Sequence, residues 1–322
     1  MSSQKLLEIS KDLAIPVKKL EDMLFILKDG EAVDNNYLLT RIGVSRNALN
    51  KAKEKLSDLL EPASATTKLS QMGLNAIGVI EDGYIAQDQL WEFLKDANYK
   101  KVLALLNKYG DKRPSQNRKY DQFTATPETT ALRTGLLNFL GDIRGKRLLF
   151  LGDDDFTSVG VASLGLASHI EVLDVDKRIL NSIKSIAEAE RFTITTTSSD
   201  LRQRLPSRLL GKFDLVFTDP PYTTSGMGLF VSRAIQALDP DNHASRIYAC
   251  YGNSDRARER YLPIQELFTD LGLMMRWIFD GFNRYVGVES IGNSSTLFIL
   301  DVTPKTKPQA KLTHNDEIYT NS

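Results

Sequence analysis

The first half of the chain repeats apolar residues at helical spacing, and the second half alternates short apolar runs with amphipathic stretches. Leu13, Val17, Leu20, Leu24 and Leu27 recur every three or four residues and so share one helix face. From Tyr37 to Leu49 the pattern predicts helix, turn, helix. Gly43 suits the tight turn, and Ser45 is placed to cap the second helix by accepting a backbone N–H bond. Ala52, Leu56 and Leu59 continue that helix until Pro62 stops it. Leu69-Ser70-Gln71-Met72-Gly73 then leads to Ile77-Gly78-Val79-Ile80 and a turn at Glu81-Asp82-Gly83-Tyr84, the outline of a winged helix. Residues 1–108 are therefore expected to form a mainly helical, winged-helix-like domain.

The polar run from Lys108 to Tyr120, with Gly110 and Pro114, predicts a linker over residues 109–125. A helix is expected to start at Thr126-Pro127-Glu128: Thr126 suits the cap, Pro127 the first position, and Glu128 the positive end of the dipole. Five strands are predicted at 147–151, 170–174, 213–218, 247–251 and 296–300, with helices over 176–189 and 227–238 between them. Such alternation predicts an α/β domain over 126–303, a parallel sheet with helices on both faces. Beyond Thr303 the chain is polar, carries Pro304, Pro308 and several lysines, and reads as a mobile tail over 304–322. Asp316-Glu317-Ile318-Tyr319 stands out within it as two acids beside two apolar side chains.

Composition narrows the chemistry. Lys+Arg and Asp+Glu both number 41, so no bulk charge draws the chain to nucleic acid or anionic membrane. Arg46, Lys51, Lys53 and Lys55 can meet phosphates, but acids elsewhere in the same half offset them. DNA binding is expected to be weak and without sequence preference. A single cysteine, Cys250, excludes an internal disulfide and a cysteine zinc cluster, and three histidines make a histidine metal site unexpected. No metal is expected. The first residues lack the apolar core of a signal peptide, and no apolar run is long enough to span a membrane. A cytoplasmic location without membrane attachment is expected.

In parallel sheets, ligands sit beyond the carboxyl ends of the strands, so the residues after each strand carry the candidate chemistry. After the first comes Gly152-Asp153-Asp154-Asp155. Glycine lets the backbone approach a ligand, while three successive carboxylates repel one another unless a cation is bound. The acids argue against a pyrophosphate and against the carboxylate of S-adenosylmethionine. They suit decarboxylated S-adenosylmethionine, which presents a bare ammonium; the alternative is that Asp153 or Asp155 caps the following helix. Asp174 ends the second strand, where an acid commonly accepts both ribose hydroxyls. Asp200 is placed either to meet an adenine amino group or to serve as a turn residue. Asp219-Pro220-Pro221-Tyr222 follows the next strand. Pro220 and Pro221 stiffen the loop and leave carbonyls unengaged. A rigid carboxylate there can hold an amine and accept its proton, and Tyr222 can flank a cation or stack on a planar group.

These residues resemble the branched-chain polyamine synthase family, N4-bis(aminopropyl)spermidine synthase. The resemblance is carried by Arg118-Lys119-Tyr120-Asp121-Gln122, Thr126-Pro127-Glu128-Thr129, Gly152-Asp153-Asp154-Asp155, Leu173-Asp174-Val175-Asp176, Asp200-Leu201-Arg202, Asp219-Pro220-Pro221 and Phe282-Asn283-Arg284-Tyr285-Val286. It covers residues 118 to about 300 and the first half in outline. It implies a Rossmann-like, S-adenosylmethionine-methyltransferase-like domain behind a winged helix. It also implies transfer of aminopropyl groups from decarboxylated S-adenosylmethionine to an amine such as spermidine. Asp155 and Asp219 would then bind and deprotonate the amine with Tyr222 beside them, and Gly152, Asp153, Asp154, Asp174 and Asp200 would hold the nucleoside. Tyr120, Asp121, Pro220, Pro221, Asn283 and Tyr285 would line the acceptor site. A homodimer is compatible with this reading. The family tends to carry a glutamate where Tyr222 stands and another acid near Arg284, which points here to a shorter or planar acceptor. Asp-Pro-Pro-Tyr is also the signature of amino-group methyltransferases. N-methyl transfer from S-adenosylmethionine, and a DNA-binding regulator sensing an adenosyl ligand, are the rival readings.

Overall fold

The computed structural model describes residues 3–77, 92, 97–252, 261–286, 294–312 and 318–320. The expected wing at 78–84 and the acids Asp316 and Glu317 lie outside these residues. The first half is helical as expected: α1 (Ser3–Leu13), α2 (Val17–Ile26), α3 (Asn35–Ile42), α4 (Arg46–Lys55) and α5 (Gln71–Ile77). Asp34 caps α3 by accepting from the backbone N–H groups of Asn36 and Tyr37, and Ser45 caps α4 by accepting from Ala48. Gly43 takes φ +63° at the turn between the two helices, where a side chain would be strained. Short strands β1 (Val33–Asp34) and β2 (Thr66–Thr67) pair antiparallel beside them. Leu20, Leu24, Leu27, Leu38, Leu49 and Leu56 form the buried core of this unit.

Helix α6 (Ala97–Lys108) carries a helical pattern that sequence assigns to the first half. Its buried Val102 and Leu106 instead join the core beneath the sheet, where it packs on α7 (Pro127–Phe139) and α8 (Thr157–Ser163). The linker that follows is fastened to the sheet domain, since Arg113 donates to the carbonyls of Ala125 and Asp155 at 2.6 and 2.7 Å.

The larger sheet runs β5 (Thr195–Ser198), β4 (His169–Asp174), β3 (Arg147–Leu151), β6 (Leu215–Thr218), β7 (Arg246–Gly252), β9 (Ser294–Asp301), β8 (Met274–Arg284). The first five strands are parallel, and β9 runs antiparallel to both β7 and β8, so the expected parallel sheet contains one reversed strand next to its edge. Helices α9 (Lys177–Glu190), α10 (Thr224–Ala237) and α11 (Tyr261–Asp270) complete the layers. Strands β3, β4, β6 and β7 are covered on both faces, which is why they read as continuous apolar runs. Two strands escape the sequence pattern. β5 is Thr-Thr-Thr-Ser, and the edge strand β8 has one face open and two register shifts that break its alternation.

The strand order reverses at β3, between β4 and β6, which opens the crevice where such sheets bind ligands. The tail is packed where it is described. The Lys307 N–H donates to the Leu271 carbonyl, the Gln309 N–H to Ser232, and Ile318 is buried in the core on the α10 side.

At the opposite end of the sheet, buried Asp142 joins α7 to β7. It accepts from Lys146, from Arg246 at 2.9 Å and from the Tyr248 hydroxyl at 2.6 Å. Burial alone would raise its pKa, but the Arg246 and Lys146 charges overcome burial and hold it at about 2. A depressed carboxylate contributes stability that is present above its unfolded value and lost as pH falls through its folded value. Asp142→Asn should therefore cost about 3 kcal/mol at pH 7, because it strands two buried cations. The gap from wild type in urea unfolding should narrow as pH falls from about 4 toward 2. A gap that is constant with pH would show that the charge of Asp142 is not what stabilises this junction.

Candidate active site

Most of the singled-out residues converge on one cleft of about 730 Å³ at the carboxyl ends of β3, β4 and β6. Gly152, Asp154, Asp174, Asp200, Asp219, Pro220, Pro221, Tyr222, Tyr120, Asp121 and Tyr285 all line it. Gly152 leaves β3 at φ +71° while its N–H donates to the Leu173 carbonyl. A Cβ there would meet only Phe230 at 3.9 Å, so backbone conformation rather than space calls for glycine.

The three consecutive acids have three different fates. Asp153 turns away from the cleft and accepts from the backbone N–H groups of Thr157 and Ser158 at 2.8 and 3.0 Å, capping α8. Burial raises its pKa to about 7 despite those bonds. Asp155 is also inward: it accepts from the Ala125 N–H at 2.6 Å and pairs with Arg133 at 2.7 Å. Only Asp154 faces the cleft, and it has no hydrogen-bond partner among the described residues. Burial, then the charges of Asp155, Asp219 and Asp174, push its pKa well up, with Arg113 opposing. Phe156 closes the turn at φ +60°, a strained conformation for a bulky residue, with the Arg113 guanidinium 5.3 Å from its ring centre.

Arg133, which the sequence pattern did not single out, organises the base of the cleft. It is 1% exposed in the middle of α7, and its fork is fully used. Nη1 holds Asp155 at 2.7 Å, Nη2 holds Asp219 at 2.7 Å and the Tyr285 hydroxyl at 3.1 Å, and Nε donates to Asn283 at 2.7 Å. Asn283 thus stands behind the cleft rather than on it, donating onward to Ser295 at 2.8 Å. Asp219 also accepts from the Tyr285 hydroxyl at 2.6 Å and the Tyr222 hydroxyl at 3.1 Å. A carboxylate offers about four lone-pair sites, so three protein donors leave room for a ligand donor. Burial raises the pKa of Asp219; Arg133 opposes the rise and Asp155 adds to it. The Tyr222 ring lies against Gly252, where a Cβ would come within 2.8 Å of it; that close approach needs glycine.

Asp174 uses both oxygens on backbone, accepting from the N–H groups of Asp176 at 2.7 Å and Asp153 at 3.2 Å, yet still faces the cleft. Burial lifts its pKa to about 6. Asp200 is held in a two-pronged pair by Arg202, whose charge and hydrogen bonds keep its pKa low against burial. Leu173, Val175, Leu201 and Phe230 give the cleft an apolar wall of the kind a purine ring needs. On the far side, Asp121 holds the Thr320 N–H and hydroxyl at 2.6 and 2.7 Å, and the Tyr319 ring stands 6.0 Å from Tyr120. Ile318 and Tyr319, the apolar pair that stands out in the tail sequence, also line the cleft. They are fixed through backbone groups, as when the Ile318 carbonyl accepts from Thr223. Among the described residues, five lining side chains are carboxylates and none is cationic, with Asp219 and Asp200 paired to Arg133 and Arg202 from behind. Such a cleft attracts amines and repels anions.

Fold and cleft together define a Rossmann-like, S-adenosylmethionine-methyltransferase-like domain preceded by a helical unit. Residues 101–322 match the family described as branched-chain polyamine synthase A C-terminal domain, and the chain belongs to that family. An uncharacterised protein of Methanocaldococcus jannaschii is 37% identical over 225 residues, covering 70% of this chain and 56% of that protein. The N(4)-bis(aminopropyl)spermidine synthase of the same organism is 35% identical over 191 residues, covering 59% and 54%. The match thus spans a little over half the length of these curated relatives. A crystal structure of the branched-chain polyamine synthase from Thermus thermophilus, in complex with N4-aminopropylspermidine and 5'-methylthioadenosine, superposes with TM-score 0.59. It is 22% identical over 98% of this chain and 99% of that one, a likeness of fold.

The Arg133 fork generates a stability prediction. Arg133→Met keeps volume and removes the charge shared by Asp155 and Asp219, so unfolding free energy should drop by about 3–5 kcal/mol at pH 7. A loss below about 1 kcal/mol in denaturant titration would show that these carboxylates do not depend on the guanidinium.

Proposed function

We propose that the chain is an aminopropyltransferase that moves aminopropyl groups from decarboxylated S-adenosylmethionine to a polyamine such as spermidine. The observation that carries this reading is the charge of the cleft: among the described residues it has five carboxylates, no cation, and Asp154 left without a protein donor. Buried carboxylates with raised pKa values are stabilised by an arriving ammonium, and Asp154 is the natural seat for the one on the donor's propyl arm. Family membership supports the same reading, as does the naming of the synthase relatives.

In this account Asp174 and Asp200 meet the ribose and adenine edge, and the apolar wall packs the ring. The acceptor nitrogen lies against Asp219, Pro220 and Pro221, with Tyr120 and Asp121 beyond. Its lone pair attacks the propyl carbon next to sulfur. The new C–N bond forms as the C–S bond breaks, and 5'-methylthioadenosine leaves with the electron pair of that bond. The proton released from the amine passes to Asp219, whose raised pKa suits a proton acceptor better than an ordinary surface aspartate. Tyr222 and Tyr285 fix the orientation of that carboxylate and so supply positioning rather than charge. Asp153, Asp155 and Asn283 serve from behind the cleft.

Mass spectrometry of a reaction with decarboxylated S-adenosylmethionine and spermidine should show products heavier by one or two aminopropyl units. Asp154→Asn should lower kcat/KM by roughly 10²-fold, as expected for loss of a charge-assisted contact inside a dry cleft. A methylated amine formed from S-adenosylmethionine, with no aminopropyl product, would replace this reading by N-methyl transfer.

A further inference from the structure

A second recess, of about 570 Å³, lies where the helical unit meets the sheet domain, at the opposite end of β7 from the cleft. Its wall contains four cationic side chains, Lys18, Lys19, Arg246 and Arg276, together with Trp277, and no carboxylate among the described residues. Lys18 and Arg246 are each only 4% exposed, so they are fixed in place rather than free to turn to solvent. The acids that balance these groups stand behind the wall. Asp301 accepts from Arg246 Nε at 2.8 Å and from Arg276 Nε at 2.7 Å, Asp142 from Arg246 Nη1, and Asp22 lies 3.6 Å from Lys18. Arg276 therefore spends only Nε on the protein among the described residues, and both of its terminal nitrogens remain for a ligand. Lys19 donates to the Gly43 carbonyl and has no carboxylate partner among the described residues. Partial burial, then the neighbouring Arg276 and Arg246 charges, lower its pKa, with Asp22 and Asp301 opposing.

We propose that this recess is a binding site for a small phosphate-bearing anion, a pyrophosphate group either free or carried by a nucleotide. Two guanidiniums and an ammonium converging on one recess match the fork and point-charge geometry that phosphate oxygens accept. The recess is concave and set between two units, which suits a small polyanion better than the rounded backbone of a duplex. A bound anion would bridge α2 to β7 and β8 and so fasten the helical unit to the sheet domain.

The test is calorimetric titration of the full chain with sodium pyrophosphate, orthophosphate, ATP and adenosine at matched ionic strength. Pyrophosphate should bind saturably, and Lys19→Gln/Arg276→Gln should weaken it at least tenfold while the far-ultraviolet circular dichroism stays unchanged. If the double variant is unfolded, Arg276→Gln alone, at an exposed side chain, should weaken pyrophosphate severalfold. ATP binding tighter than pyrophosphate, with adenosine silent, supports a nucleotide source; pyrophosphate or orthophosphate binding as tightly as ATP supports the free anion. Absence of saturable binding at millimolar pyrophosphate overturns the proposal, as does equal binding by the folded variants. Displacement of pyrophosphate by a DNA duplex overturns the assignment to a small molecule.

Discussion

The guanidinium of Arg133 sits almost completely out of water and is held by two carboxylates, an amide and a phenol. The partners come from three separate parts of the domain: Asp155 from the turn after β3, Asp219 from the turn after β6, Asn283 and Tyr285 from the end of β8 and just beyond. A planar fork has fixed directions, so it sets where each of these elements ends relative to the others. The cost of desolvating the charge is offset only when every partner is in place, which makes the arrangement all-or-none rather than adjustable. Once Asp155 is turned inward to Arg133 and Asp153 inward to cap α8, Asp154 is left directed at the cleft. The negative charge of the site is thus a consequence of how its neighbours are satisfied.

Phe156 and Gly252 show the backbone cost of this arrangement. Phe156 adopts a left-handed conformation worth about 1–3 kcal/mol of strain, held by burial and by Arg113 over its ring. Gly252 leaves the space the Tyr222 ring fills, and the hydroxyl of that ring reaches Asp219. A glutamate at position 222 would add charge to the acceptor side. The tyrosine adds a neutral donor and a flat wall instead, which leaves Asp219 and Asp121 as the carboxylates on the acceptor side among the described residues.

Much of this was legible in the sequence, for physical reasons that differ by element. The strands β3, β4, β6 and β7 are buried on both faces, and their apolar runs announce them. Asp-Pro-Pro-Tyr after a buried strand points to a rigid loop at a sheet end, and it lies there. Among the three consecutive acids, sequence could pose helix cap or ligand but could not assign them, since Asp155 is turned inward by Ala125 and Arg133, 30 and 22 positions away, while Asp153 alone takes the local cap. Arg133 was hidden because a charged residue within a helix usually faces water. The available signal was that positions 129, 130, 136 and 137 are Thr, Thr, Leu and Leu, with no acid within helical reach to pair with it. The tail was misread because polar composition cannot reveal contacts made by backbone, such as those of Lys307, Gln309 and Ile318.

The central claim is that the cleft's excess of carboxylates selects a donor bearing an ammonium and no carboxylate. Calorimetric titration with decarboxylated S-adenosylmethionine and with S-adenosylmethionine measures that directly. The account predicts at least tenfold tighter binding of the decarboxylated compound, about 1.4 kcal/mol, at pH 7. Equal affinity, or a preference for S-adenosylmethionine, would contradict it.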